Sequence, residues 1–310
     1  MANHSKVILK ENSSAHISRL VKSVQSLKNL EDYSIRPEGV WGSKATIRFP
    51  NVKIDASELD VEFTIPFDDN LEPNEGEILV YNLTDNTIGR LKGDISIEAG
   101  FDNDTGVLFS GKTRKVSSKR EGADRATTIK VIDGITTTTE NLISSGKLEE
   151  SYDGVPAKDV LRALLEAEGS PIAKFEVESD YAYENSVTIG DDLQAEIKKY
   201  SEVCGVSTFK RKGKIYCCKL DKVESDITFN VSEETGMIGS PSPFEETVTV
   251  GENEVTIKGF EIEMLLQHRA AVGAIVNLTS ELYKGKYYIK SGTHRFNGSE
   301  ATTTIKVVEM

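Results

Sequence analysis

The strongest constraint on the fold is an alternation of period two that fills two long blocks. From Lys44 to Asp133 the segments KATIRFPNVKI, LDVEFTIPF, EILVYNL, DISIEAGF, GVLFSGKTRKVSS and ATTIKVID alternate apolar with polar residues or run β-branched. Successive strand side chains point to opposite faces, so this pattern specifies strands with one buried face. The turn-rich stretches PFDDNLEPNEGE, LTDNTIGR, FDNDTG and KREGAD lie between them. No helix-length segment separates these strands, which excludes a parallel sheet built from crossover helices. A barrel or sandwich remains. A second block, from Ile238 to Met310, repeats the pattern in TVTVGENEVTIKGFEIEML, AAVGAIVNLTSE, GKYYIKSGTHRF and ATTTIKVVEM, with Asn297-Gly298 as a hairpin turn.

Between the blocks the period changes. VPAKDVLRALLEAEG reads as a helix with Pro156 in its first turn, Val160, Leu161, Leu164 and Leu165 on one face, and Gly169 ending it. KFEVES reads as a strand. DDLQAEIKKYSEVCG reads as a second helix, with Asp191 and Asp192 at its positive end and Gly205 at its stop. A hairpin follows, turning at Lys212-Gly213. Ahead of the first block, Ile17, Leu20, Val21, Val24, Leu27 and Leu30 make one face of a helix over Ser14 to Asp32. The expected class is therefore mainly β with an α/β insert. The expected organisation is an N-terminal helical arm (1–40), a first β-barrel-like domain (41–134), a mixed α/β insert (135–230) and a second β-barrel-like domain (231–310).

Charge narrows the partners. The 310 residues carry 37 basic and 50 acidic side chains, a net of -13. Such a balance argues against a nucleic-acid binder or an anionic membrane surface as partner. The start MANHSKVILKENSS has no apolar core of a signal peptide, and the longest apolar run, Ala270 to Val276, is too short to span a bilayer. The cysteines, Cys204, Cys217 and Cys218, form no framework and fit a reducing compartment.

A search for chemistry returns little. The histidines His4, His16, His268 and His294 have no metal-binding spacing, and no CxxC, Walker loop, GxGxxG or GxSxG is present. Ser144 to Lys147 and Ser207 to Lys210 match SxxK, but neither serine opens a helix. Ser291 and His294 lie three apart on a strand and face opposite sides. Asp102 and Asp104 resemble half of a calcium loop without its remaining ligands. The loop acids Asp68, Asp69, Glu72, Glu75 and Glu77 read as a solvated turn. Trp41, the single tryptophan, offers no sugar-stacking platform by itself. No catalytic, cofactor-binding or metal-ligating residue is assigned, and no enzyme is expected.

GEILVYNLTDNTIGRLKGDISIEAGFDNDTGVLFSGKTRKV, NSVTIGDDLQAEIKKYSEVCGVSTFKRKGKIY, GMIGSP and GKYYIKSGTHRFNGSEATTTIKVV occur in an order that resembles one family across Lys44 to Val308. The family is the central baseplate hub of contractile phage tails, of the late control protein D type, with the hubs of prophages and phage-tail-like bacteriocins. The resemblance implies a homotrimer in which each chain supplies two similar β-barrels around a mixed insert. Six barrels then form a ring of near-sixfold symmetry. One side of it meets the tail tube or tube initiator, and the other holds the central spike. Baseplate wedge and tape-measure proteins are further expected partners; the N-terminal arm lies outside the match and is expected to contact a tape-measure, sheath-side or wedge protein. The implied location is the host cytoplasm during assembly, then the tail baseplate of a phage or bacteriocin particle. Puncture and wall cleavage are expected of other chains. Competing expectations are a carbohydrate- or receptor-binding module, a wall hydrolase and a plain tube protein.

Overall fold

The computed structural model describes residues 42–101, 104–133, 139–177, 186–219, 222–223, 227–250, 253–298 and 300–309. The helix expected over Ser14 to Asp32 and Trp41 fall outside the described residues. The first β half contains β1 (Ser43–Phe49), β2 (Val52–Asp55), β3 (Val61–Phe67) and β4 (Glu75–Tyr81). A one-turn helix, α1 (Asp85–Ile88), precedes β5 (Asp94–Phe101), β6 (Asp104–Glu121) and β7 (Asp124–Ile132). The insert contains α2 (Thr139–Ser144), β8 (Ser151–Tyr152), α3 (Ala157–Glu168), β9 (Ile172–Phe175), β10 (Val187–Thr188), α4 (Leu193–Cys204), β11 (Ser207–Arg211) and β12 (Lys214–Cys218). The second β half contains β13 (Thr228–Val231), β14 (Met237–Val250), β15 (Asn253–Leu265), β16 (Ile275–Thr279), β17 (Lys284–Phe296) and β18 (Ala301–Glu309).

The chain is mainly β, as its alternation requires. In β4 the pattern EGEILVY buries Gly76, Ile78 and Val80 and turns the residues between them outward. Ile78 and Val80 join Ile47, Ile97, Ile129, Val131 and Phe63 in one core. A second core gathers Phe229, Ile262, Val276, Ile289, Ile305 and Val307. Each fully buried aliphatic side chain contributes on the order of 1.5–3 kcal/mol, so the strand faces, not their polar edges, hold each half together.

Both halves follow one strand order. The first runs β3-β4-β7-β6-β5-β1 and the second β14-β15-β18-β17-β16-β13. The ladders correspond one to one, and all are antiparallel except β13·β16, which is parallel where β1·β5 is antiparallel. The correspondence extends to an irregularity. β6 slips register against β7 between Thr113 and Lys115, and β17 slips against β18 between Ile289 and Ser291. An extra residue at such a bulge bends the strand and increases its twist.

The two halves are hydrogen-bonded into a single 13-stranded sheet, because β17 pairs antiparallel with β3. Phe296, Ala301 and Leu266 accordingly sit in the first core. The insert packs α3 on α4 over a sheet ordered β11-β12-β9. Its local signals are visible in sequence. Asp192 caps α4 by accepting from the Gln194 and Ala195 amides, and Gly205 and Gly169 end α4 and α3 in the left-handed region. Lys212 and Gly213, at φ 51° and 75°, make the tight β11–β12 turn. Among the described residues no helix is long and apolar enough to cross a membrane.

Candidate functional site: a seam and a buried junction

The seam forms where β17 outgrows β16. β16 accompanies β17 as far as Tyr288, and after the bulge Gly292–Phe296 run opposite Phe67–Phe63 of β3. Gly292 fits here for a steric reason. A Cβ at this position would stand 2.5 Å from both the Phe67 ring and the Thr304 carbonyl oxygen. The Phe63 and Phe296 rings stack at 5.3 Å, and the Phe67 ring lies 5.0 Å from His294. His294 is fully buried, with Nδ1 2.9 Å from the Thr303 hydroxyl. Burial, with Lys212 nearby, pulls its basicity down to about 3, so the ring is neutral in use. Lys290, at the bulge, forms ion pairs with Asp69 at 3.2 Å and Glu246 at 3.3 Å, tying the loop after β3 to β14.

Beside the seam, the tip of the insert's hairpin enters the angle between the halves. Lys210 Nζ donates to Glu168 Oε1 at 2.5 Å and to the Asp133 carbonyl at 3.0 Å. Both charged side chains are essentially inaccessible, at 2% and 0%. The second Glu168 oxygen accepts from the Ser170 amide. The Asp133 carboxylate is gripped by the Asn74 amide and side chain at 2.8 and 3.1 Å, and burial raises its proton affinity. Lys212 Nζ donates to the His268 carbonyl at 3.0 Å. Burial, with Arg211 and Arg269 adjacent, lowers its pKa to about 8. One hairpin thus bonds to the first half, the insert's own α3 and the second half.

A further clamp spans the halves. Arg269 holds Asp104 through two bonds of 2.7 and 2.8 Å, and His268 Nε2 lies 3.1 Å from the same carboxylate. Burial pushes that carboxyl up, but the His268 and Arg269 bonds outweigh it and hold it well below the usual range. Gly106 lets the His268 ring approach, since a Cβ there would lie 2.1 Å from its Nδ1.

The residues nominated by sequence are dispersed. Ser144 ends α2, and Lys147 lines an open cleft of about 580 Å³ between the insert and β6. Ser207 and Lys210 lie on β11, and the lysine serves Glu168. His294 bonds to Thr303, and Ser291 lies at the bulge on the same strand. Asp104 is bound by arginine, and Asp102 lies outside the described residues. Of the loop acids, Asp68 and Asp69 are half-buried, whereas Glu72, Glu75 and Glu77 are exposed, with Glu75 paired to Arg114. The cysteines are buried, and burial pushes the Cys217 thiol up to about 11, which disfavours the reactive thiolate. Among the described residues no group of three His, Cys, Asp or Glu is placed to hold a metal ion. The void lined by Lys210, Lys212, Asp133 and His294 measures about 30 Å³, room for one water molecule and not for a substrate. Sequence reasoning missed the Lys210–Glu168 pair and the Asp104–Arg269 clamp, which join residues far apart in the chain.

The junction sets a pH dependence. Burial raises the Asp68 carboxyl to about 6, so the native state binds this proton more tightly than the unfolded chain, and stability rises as pH falls from about 6 towards 4. His294 acts oppositely, because the unfolded imidazole gains a proton below 6.5 that the native ring refuses until about 3. The two effects oppose each other between pH 4 and 6. Asp68→Asn removes one of them. Its melting temperature at pH 7.5 is expected to exceed wild type by about 2–4 °C, with a steeper decline from pH 6.5 to 4. A profile parallel to wild type contradicts this assignment.

No protein-family model matches the sequence, and no curated protein matches it either. The fold does have relatives among solved structures. The tail protein from Neisseria meningitidis MC58 superposes with a TM-score of 0.62 at 8% identity, covering 87% of this chain and 97% of that one. The 43 kDa tail protein of prophage MuSo2 from Shewanella oneidensis gives 0.58 at 6% identity, covering 86% and 98%. The E. coli c3393 protein gives 0.58 at 12% identity, covering 85% and 76%. It is described as a type VI secretion component with structural similarity to the T4 tail proteins gp27 and gp5. The chain therefore shares the fold of phage-tail-type proteins.

Proposed function

We propose that this chain is a structural hub of a contractile tail baseplate, a homotrimeric adaptor between a sixfold tail tube and a threefold central spike. The observation that carries the reading is the strand order common to both halves. Two like modules in one polypeptide let three copies present six near-equivalent units, which is what a threefold-to-sixfold adaptor requires. The buried junction supports it as well, because the Asp104–Arg269 clamp and the hairpin bonds of Lys210 to Asp133 and Lys212 to His268 tie the halves together, and a ring needs a fixed angle between units. The likeness to tail proteins, and to a secretion component itself likened to gp27 and gp5, points the same way.

In this role the chain works by geometry and performs no catalysis. Its partners are two further copies of itself, the tube or tube initiator, the spike, wedge proteins and a tape-measure protein, with the N-terminal arm reaching a tape-measure, sheath-side or wedge protein. It assembles in the bacterial cytoplasm and ends in the baseplate of a phage or bacteriocin particle. Light scattering on the purified chain is expected to give three times 34.1 kDa. A stable monomer that binds neither tube nor spike protein contradicts the proposal.

A further inference from the structure

The seam that joins the halves has an unfilled counterpart. In the shared strand order β6 stands where β17 stands, and β14 stands where β3 stands. β17 outgrows β16, bulges at Lys290 and takes β3 along its free edge. β6 likewise outgrows β5 at Lys112, bulges at Arg114 and runs on to Glu121 paired with β7. Among the described residues no strand lies along the other edge of that extension, and β14 is a terminal strand of the sheet. Resting on the trimeric reading above, we propose that β14 of one copy pairs antiparallel with the β6 extension of the next, repeating between copies the seam that β3 and β17 make within one.

Charge supports the same pairing. Lys112 to Lys130, which spans the β6–β7 hairpin, has seven basic and two acidic residues in a chain of net -13. Met237 to Leu265, the β14–β15 hairpin, has six acidic residues and one basic. Among the described residues no ladder joins the acidic arm to the basic arm, and opposite charges on two arms of one chain are complementary between molecules, which is a heterologous contact able to close a ring. The lengths agree too. Pro241 and Pro243 lack the N–H that an edge offers, so the β14 edge keeps every donor only from Phe244 to Val250. That segment matches Lys115 to Glu121 residue for residue in length. Ser117, Ser118, Lys119 and Arg120 are exposed, as are Glu245 and Thr247. An antiparallel register with Lys119 opposite Glu246 also sets Arg120 opposite Glu245, and opposite charges directly across a ladder stabilise it. Within its own chain Glu245 already meets Lys258 at 2.9 Å and Glu246 meets Lys290 at 3.3 Å, and both carboxylates stay partly exposed, at 63% and 41%, so the incoming arginine and lysine share them.

Charge reversal tests the pairing in the full-length chain, with mass read by sedimentation. Lys119→Glu with Arg120→Glu is expected to weaken self-association about 30-fold, as two attractive pairs become repulsive. Glu245→Lys with Glu246→Lys is expected to do the same. All four changes in one chain restore the wild-type mass, which damage to folding would not do. A mixture of the two half-reversed chains alternates and therefore cannot close an odd-numbered ring. A wild-type trimer indifferent to every reversal overturns this pairing and leaves the trimer standing. A different mass that the four-fold swap restores supports the pairing and overturns the trimer. A monomeric wild type overturns both. A reversal that leaves the mass intact but abolishes binding to duplex DNA assigns the basic arm to nucleic acid and overturns the pairing.

Discussion

Lys210→Met is expected to lower the unfolding free energy by about 3–5 kcal/mol, the cost of leaving a buried carboxylate without its cation. Glu168 has no exposed side-chain surface, and its other oxygen is taken by a single backbone amide. The Asp133 carbonyl loses its lysine donor as well. The companion change Glu168→Leu in the same chain is expected to recover most of the loss. A buried ion pair and an apolar pair of similar size differ little in net stability, because desolvating two charges nearly offsets their attraction. Urea midpoints of the single and double variants decide the matter. A Lys210→Met protein as stable as wild type would mean that Glu168 does not depend on this cation and that Lys210 does not hold the insert to the first half through Asp133.

Gly292→Val is the second large effect. Its Cβ would sit 2.5 Å from the Thr304 carbonyl oxygen, which belongs to the backbone of the neighbouring strand. A ring such as that of Phe67 can turn aside, but the β17–β18 ladder must open. A loss of about 3 kcal/mol is expected, at the upper end of overpacking penalties. Its location separates it from general destabilisation. Hydrogen exchange is expected to accelerate first at Phe63–Phe67 and Gly292–Phe296, where the halves are stitched together. Uniform acceleration across both halves would contradict the seam as a distinct element. Wild-type stability would contradict the steric reading altogether.

These two sites show where the sequence was legible and where it was not. Strands and insert helices announced themselves because their causes are local: alternation in EGEILVY, Asp192 before α4, Gly169 and Gly205 after the helices, and Lys212-Gly213 at a turn. The resemblance supplied two like halves, but their pairing through β3 and β17 joins residues over two hundred positions apart and leaves no local pattern. Gly292 reads as an ordinary strand glycine until the Phe67 ring is placed over it. In the sequence Lys210 is half of an SxxK match. Only the fold brings Glu168 against it, and the pair then explains how a cation can sit on a buried hairpin strand. Asp104 suggested a cation ligand from its turn-like neighbours. Arg269, far along the chain, supplies that positive charge instead.

Image averaging of the purified assembly by electron microscopy bears most directly on how three chains can serve a sixfold tube. The expected particle is a ring of six similar lobes around a threefold axis, each chain contributing one lobe from its first β half and one from its second. Single chains, or a ring whose lobes number other than two per chain, would contradict it.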